Sequence, residues 1–220
     1  MLKYPCLILD HDDTVVQSEA TVNYPFFVEF LKKYRPGMTI SEHEYISGCF
    51  HPGYIEMCRQ RFYFSEEELL IEYNGWKDYI RSHIPTPYPG IGEMICKYKD
   101  AGGIICVVSQ SARENILRDY QTHFGIEPDA IFGWDLEPSH RKPSPWALNR
   151  IMEIHNLTPG RLLVVDDMKP AVEMARAAGV NIAFAGWGRQ DYPEICSEMS
   201  RLCDFSCGTI RDLEHLLWEE

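Results

Sequence analysis

The chain has no apolar run of the length that a membrane-spanning helix needs, which is about 18 residues or more. It also has no basic, apolar, small-residue leader at its start, where a strand-like pattern begins almost at once. These two absences predict a cytoplasmic protein without a membrane partner.

Positive charge is scarce in the sequence. Lysine and arginine number 21 against 33 acidic residues, so the formal net charge of the 220-residue chain is −12. A nucleic-acid-binding protein needs a basic surface, and none is predicted. An anionic substrate remains compatible with this balance, because a bound metal and a few cationic side chains can set the local field.

Metal-binding cysteine spacings are absent too. The eight cysteines form no CxxC or Cys–His pattern, so no structural metal is predicted at Cys203 and Cys207. In the cytoplasm we expect all eight to be reduced, and several lie in apolar runs where they would pack as small hydrophobic residues.

The most informative stretch that is present is C-L-I-L-D-H-D-D-T, residues 6–14. Its apolar run predicts a buried strand of a parallel sheet, which ends on Asp10 and is followed at once by Asp12 and Asp13. Three carboxylates within four residues repel one another and are hard to desolvate together. We therefore expect a hard cation such as Mg²⁺ at the carboxyl edge of the sheet, where α/β proteins bind ligands.

The organisation changes after this strand. Residues 17–87 carry aromatic and charged helical patterns, including a capping box at Ser65 and Glu68, and they end in the turn signal I-P-T-P-Y-P-G. From residue 88 onward, short apolar strands alternate with helices of ten to fifteen residues. This alternation predicts an α/β fold with a parallel sheet, interrupted by a helical insert after its first strand.

Polar side chains stand at the ends of further predicted strands. Ser109 ends I-I-C-V-V-S, Asp166 and Asp167 end L-L-V-V-D-D, and Lys142 lies at a helix start between them. Parallel topology would bring these residues to one edge of the sheet. A hydroxyl, a lysine and several carboxylates around one cation are suited to phosphoryl transfer.

The order and spacing of these motifs resemble those of the haloacid dehalogenase superfamily, in the group that includes phosphoglycolate phosphatase and β-phosphoglucomutase. The matching segments are D-H-D-D-T at 10–14, V-V-S at 107–109, R-K-P at 141–143 and V-V-D-D at 164–167. The resemblance implies a Rossmann-like core domain at 1–16 and 88–220. It also implies that the insert at 17–87 is a small helical cap.

The resemblance implies a role for each residue of the first motif. Asp10 would be the nucleophile that becomes an aspartyl-phosphate, and it would also bind Mg²⁺. Asp12 would be the general acid and base, with its backbone carbonyl as a further metal ligand, and Thr14 would support the turn.

The later motifs would bind phosphate and complete the metal site. Ser109 and Lys142 match phosphate-binding residues, and Gln110 stands where a phosphate-contacting group is often found. Asp167 matches a direct metal ligand, and Asp166 matches a partner that acts through water or from the surrounding shell.

The implied activity is that of a Mg²⁺-dependent phosphatase that hydrolyses a small phosphorylated metabolite, in a monomer or weak homodimer. Two alternatives share these residues: a sugar phosphomutase similar to β-phosphoglucomutase, and a catalytically weak phosphate-binding relative. The choice between hydrolase and mutase depends on the cap, whose specificity residues the sequence does not identify.

Two residues depart from the family pattern. Asp13 replaces the usual glycine, and we expect it to adopt the left-handed conformation that aspartate tolerates. His11 replaces an apolar residue, and it would either reach the substrate or pack under the cap. A cis peptide bond before Pro143 is expected to direct Lys142 inward. Weaker candidates for substrate contact are Arg189 in the core and His51, Tyr54, Arg59 and Arg61 in the cap.

Overall fold

A computed structural model describes residues 1–219 of the chain. It divides into two compact units, one formed by Met1–Val16 together with Pro87 onward and the other by Gln17–Thr86. Among the described residues, no helix has the length and apolar character needed to span a membrane. The eight cysteines are free thiols.

The smaller unit is helical. Its four α-helices are α1 (Tyr24–Tyr34), α2 (Glu42–Gly48), α3 (Tyr54–Phe62) and α4 (Glu66–Ile80), with short π-helical turns at Glu19–Asn23 and Cys49–Gly53. The predicted capping box is confirmed, because Ser65 and Glu68 exchange side-chain and backbone hydrogen bonds at the start of α4. The fully buried ring of Phe27 contacts four other aromatic rings and lies at the centre of this unit's core.

The larger unit contains one parallel sheet of six strands. These are β1 (Cys6–Leu9), β2 (Ile104–Val108), β3 (Ala130–Phe132), β4 (Leu162–Asp166), β5 (Asn181–Ala185) and β6 (Phe205–Cys207). Their order across the sheet is β3-β2-β1-β4-β5-β6, and every neighbouring pair is parallel. The predicted α/β fold with a parallel sheet is confirmed.

Helices connect these strands and cover the sheet. They are α5 (Ile91–Asp100), α6 (Arg113–Phe124), α7 (Trp146–His155), α8 (Lys169–Ala178), α9 (Pro193–Leu202) and α10 (Ile210–Leu217). Helix α9 was not predicted, although Pro193 at its first position and the buried pair Ile195 and Met199, four residues apart, are helix signals.

The position of β1 determines where the chemistry can occur. All four of its residues are fully buried, and it lies between β2 and β4 with Leu9 opposite both Val107 and Val165. Asp10 follows directly and donates its backbone N–H to the carbonyl of Val165 at 2.9 Å. The residues after β1, β2 and β4 therefore meet at the carboxyl edge of the sheet.

Candidate active site

A tight turn follows β1 and carries the first motif. The N–H of Asp13 donates to the carbonyl of Val16 at 2.7 Å, and the N–H groups of Val15 and Val16 both donate to His11. Asp13 has a φ of 52°, which confirms the expected left-handed conformation. The turn therefore forms with an aspartate in place of the usual glycine.

Three buried carboxylates meet at the edge of the sheet. One oxygen from each of Asp10, Asp166 and Asp167 lies within 4.8 Å of the others. The exposed fractions of the three residues are only 6%, 1% and 1%. The site therefore presents three hard oxygen ligands in a buried position, from two neighbouring strands.

Lys142 joins this cluster from the segment before α7. Its Nζ lies 2.7 Å from Asp10 Oδ1 and 2.7 Å from Asp166 Oδ2. The peptide bond between Lys142 and Pro143 is cis, as expected. The lysine therefore provides a buried positive charge that links the carboxylates of β1 and β4.

The pKa values show how this cluster is balanced. Burial raises the pKa of Asp10 well above its ordinary value; Lys142 counteracts this effect, and the neighbouring carboxylates reinforce it. Burial alone would lower the pKa of Lys142, but Asp10 and Asp166 outweigh it and raise that pKa. Two cations, Lys142 and Arg189, contact four buried carboxylates, so the arrangement calls for additional positive charge.

The donor set fits Mg²⁺. This ion prefers hard oxygen ligands, binds through few carboxylates and retains several waters. Asp10, Asp166 and Asp167 offer such oxygens. A divalent cation bound to them would reduce the repulsion between their negative charges.

The loop after β2 contributes hydroxyl groups. Ser109 is buried, and its Oγ accepts the N–H of Ser111 at 3.2 Å. The Oγ of Ser111 donates to Asp12 Oδ2 at 2.6 Å, so Ser111 orients the residue predicted to be the acid and base. Ser111 was not among the predicted site residues, although it follows the same strand as Ser109. Gln110, between them, is exposed.

Arg189 connects the first motif to the acidic pair. Its Nε and Nη2 donate to Asp167 Oδ2 at 3.0 and 2.5 Å, and its Nη1 lies 2.7 Å from Asp13 Oδ2. Arg189 was only a weak candidate for substrate contact. The structure instead gives it two carboxylate partners within the site.

Thr14 is fully buried in the turn. Its backbone carbonyl accepts the indole N–H of Trp187 at 3.0 Å, whereas its Oγ1 has no hydrogen-bond partner among the described residues. The turn is thus held from the segment that follows β5.

His11 takes a position that the sequence analysis did not foresee. It is 1% exposed, its Nε2 lies 3.0 Å from Asp119 Oδ2 on α6, and its ring stacks on Tyr120. A buried imidazole requires a polar partner, and α6 of the same unit supplies one. His11 is therefore held by α6 of its own unit, and a contact with substrate or with the helical insert stays a prediction.

The candidates in the helical insert have partners within their own unit. Arg59 pairs with Glu66 and Arg61 with Glu44, all of them on the surface or partly buried. The hydroxyl of Tyr54 is hydrogen-bonded to Glu72. His51 is exposed and precedes a cis bond to Pro52.

Comparison with known proteins agrees with this geometry. The family model of the haloacid dehalogenase-like hydrolases matches residues 7–185, which span the first motif, the insert and the acidic pair. The chain belongs to this family. Its parallel sheet, central first strand and acidic carboxyl edge are consequently those of a haloacid dehalogenase-like hydrolase.

Individual relatives are more distant. A phosphoglycolate phosphatase of Mesorhizobium japonicum is 28% identical over 122 residues, which are 52% of each chain. A tyrosine-protein kinase, PtkA, of Mycobacterium tuberculosis is 27% identical over 132 residues, which are 56% of this chain and 43% of that protein. The chain thus spans about half the length of the curated relatives it matches, and their different names show that similarity at this level does not determine the reaction.

A solved structure covers the whole chain. The haloacid dehalogenase family hydrolase of Deinococcus radiodurans, crystallised with bound phosphate and sodium, aligns over 100% of both chains with a TM-score of 0.74. The two sequences are 18% identical, so this similarity supports the fold.

Proposed function

We propose that this chain is a Mg²⁺-dependent phosphatase that hydrolyses a small phosphorylated metabolite through an aspartyl-phosphate on Asp10. The observation that carries the proposal is the buried contact of Lys142 with Asp10 and Asp166, beside a third carboxylate from Asp167. Such a cluster combines a nucleophile with the positive charge that a phosphate ester needs.

Asp10 and Asp12 would carry the covalent steps. A carboxylate oxygen of Asp10 forms a bond to phosphorus as the bond between phosphorus and the ester oxygen breaks, and Asp12 gives a proton to the departing alcohol. Asp12 then takes a proton from water, whose oxygen attacks phosphorus and releases inorganic phosphate and Asp10. The hydrogen bond from Ser111 holds the Asp12 carboxylate for both transfers.

The remaining residues would bind and orient the phosphoryl group. Lys142 would offset the negative charge of its oxygens, and the buried Ser109 hydroxyl would donate a hydrogen bond. Mg²⁺, held by Asp10, Asp167 and the backbone carbonyl of Asp12, with Asp166 beside them, would add the positive charge that a dianionic ester requires.

A panel of small phosphate esters tests this proposal. It begins with 2-phosphoglycolate, because relatives of the chain are named phosphoglycolate phosphatases. We expect Mg²⁺-dependent release of phosphate that Asp10→Asn abolishes, whereas Asp100→Asn, at an exposed position on α5, retains full activity. Mass spectrometry of wild-type protein quenched in acid should locate a phosphoryl adduct on Asp10.

Three results would contradict the proposal. One is phosphate release that persists in Asp10→Asn. Another is isomerisation of a sugar phosphate without phosphate release, which would favour the phosphomutase. The third is absence of turnover across the panel despite Mg²⁺ binding, which would favour a phosphate-binding relative that has lost catalysis.

A further inference from the structure

Asp13 and Arg189 form a buried ion pair next to the acidic cluster. Asp13 stands where the family pattern has glycine, and the two residues are only 3% and 4% exposed. The guanidinium contacts Asp13 Oδ2 through Nη1 and Asp167 Oδ2 through Nε and Nη2. A single cation thus bridges a residue that departs from the family pattern and a candidate metal ligand.

The segment that carries Arg189 is fixed against the first turn. Trp187 donates its indole N–H to the carbonyl of Thr14, and the Arg189 N–H donates to Gly186. Gly188 lies between them, and a Cβ at this position would come within 3.1 Å of the Asp13 carbonyl and 2.2 Å of the Tyr88 hydroxyl. These contacts therefore fix the backbone from which Arg189 reaches the two carboxylates.

We propose that Asp13 and Arg189 act as a charge-matched pair that positions Asp167 and sets the affinity of the site for a divalent cation. The proposal rests on the Mg²⁺ site of the proposed function. Arg189 is a positioning residue, because its contact with Asp167 restricts the rotation of that carboxylate.

Replacement of Asp13 and replacement of Arg189 should have opposite effects on the affinity for Mg²⁺. A buried arginine beside Asp167 competes with a divalent cation for the same negative charge and so weakens binding of that cation. Asp13 supplies a negative charge that compensates the arginine. Loss of Asp13 alone would leave excess positive charge and weaken Mg²⁺ binding. Loss of Arg189 alone would leave excess negative charge and strengthen it, while Asp167 loses its anchor and kcat falls.

A set of four proteins tests the pair: wild type, Asp13→Gly, Arg189→Met and the double variant. The Kd of Mg²⁺ is measured by titration calorimetry, which does not depend on turnover, and kcat is measured in parallel. We expect Asp13→Gly to weaken Mg²⁺ binding about tenfold and Arg189→Met to strengthen it, with the double variant within about threefold of wild type.

Asp13→Gly keeps the test decisive if Arg189→Met fails to fold. Glycine adopts the φ of 52° at this position without strain, so this variant should retain the native circular dichroism spectrum. Asp191→Asn is the matched control, because it removes a negative charge from an exposed position two residues from Arg189, and its Kd should equal that of wild type.

The outcomes separate this proposal from the function on which it rests. An unchanged Kd in Asp13→Gly, or a double variant that binds as weakly as Asp13→Gly, overturns the pair even if the wild type binds Mg²⁺ and hydrolyses esters. Shifts of the two single variants in the same direction would also overturn it. A wild type that binds no Mg²⁺ overturns both proposals.

Discussion

Each unit of the molecule buries carboxylates, but in a different way. At the sheet edge, Asp10, Asp166 and Asp167 are accompanied by the cations of Lys142 and Arg189 at hydrogen-bond distance. In the helical unit, Glu72 on α4 is 6% exposed, and the group that bonds its carboxyl is the hydroxyl of Tyr54. The first site sets its acids beside fixed cations, whereas the second is suited to a neutral acid.

The difference shows how to interpret a buried acid. Burial raises the pKa of Glu72 to about 7, and the Tyr54 hydrogen bond opposes that rise only in part. Buried carboxylates that are paired with fixed cations and gathered at a sheet edge indicate a binding site. The burial of a single carboxyl group beside a hydroxyl, as at Glu72 in the helical unit, is explained by protonation of that group.

Loss of Lys142 should have the largest effect on stability. Lys142→Met leaves Asp10 and Asp166 without their buried cation, which typically costs about 3–5 kcal/mol of folding free energy. Chemical denaturation in the presence of a chelator measures this cost. Lys169→Met removes an ion pair with Glu198 that is only partly buried, and should cost no more than about 1 kcal/mol. Equal costs for the two variants would contradict the account.

Replacement of Glu72 should change how the free energy of unfolding depends on pH. The folded-state pKa is about 7 against an ordinary value of 4.5, so the folded protein binds the extra proton between these values. Stability contributed by this group is present below pH 4.5 and is lost as pH rises to about 7. Glu72→Gln retains an acceptor for Tyr54 and should be more stable than wild type by roughly 2–3 kcal/mol at pH 8.

The measurement for Glu72 is the difference in unfolding free energy between variant and wild type from pH 4 to pH 8. We expect this difference to grow across the interval. Glu67→Gln, at an exposed position on the same helix, should show no such trend. A pH-independent difference for Glu72→Gln would show that this carboxyl remains ionised when buried.

The smallest effect is expected at Ser111. Ser111→Ala removes the hydrogen bond to Asp12 and leaves the charged groups of the cluster in place. We expect kcat to fall about tenfold with little change in KM, because one hydrogen bond to a charged group is worth roughly 1.5–3 kcal/mol. Ser200→Ala removes a hydroxyl contact with Ser206 on the surface and should leave both constants unchanged. An increase in KM alone would assign Ser111 to substrate binding.

The fold and the central residues could be predicted because their signals are local. Short apolar runs ended by Asp10, Ser109 and Asp166 identify strand ends, and parallel pairing then requires those ends to meet. The conformation of Asp13 was predictable for the same reason, because a turn depends mainly on its own residues.

The remaining contacts depend on distant parts of the chain. His11 and Asp119 are 108 positions apart, and Ser111 and Asp12 are 99 apart, so neither pairing leaves a pattern in a sequence window. Arg189 follows a glycine-rich segment that by itself predicts only a turn. Its two carboxylate partners follow β1 and β4, and only the sheet brings these strands close to the end of β5.

Titration calorimetry of Mg²⁺ against the wild type and Asp167→Asn tests the central claim most directly, because that claim holds that a divalent cation relieves the repulsion of the buried acids. We predict binding of one ion by the wild type and at least about a hundredfold loss of affinity in the variant, since one of three carboxylate ligands loses its charge. No binding by the wild type, or equal affinity in the two proteins, would contradict the account.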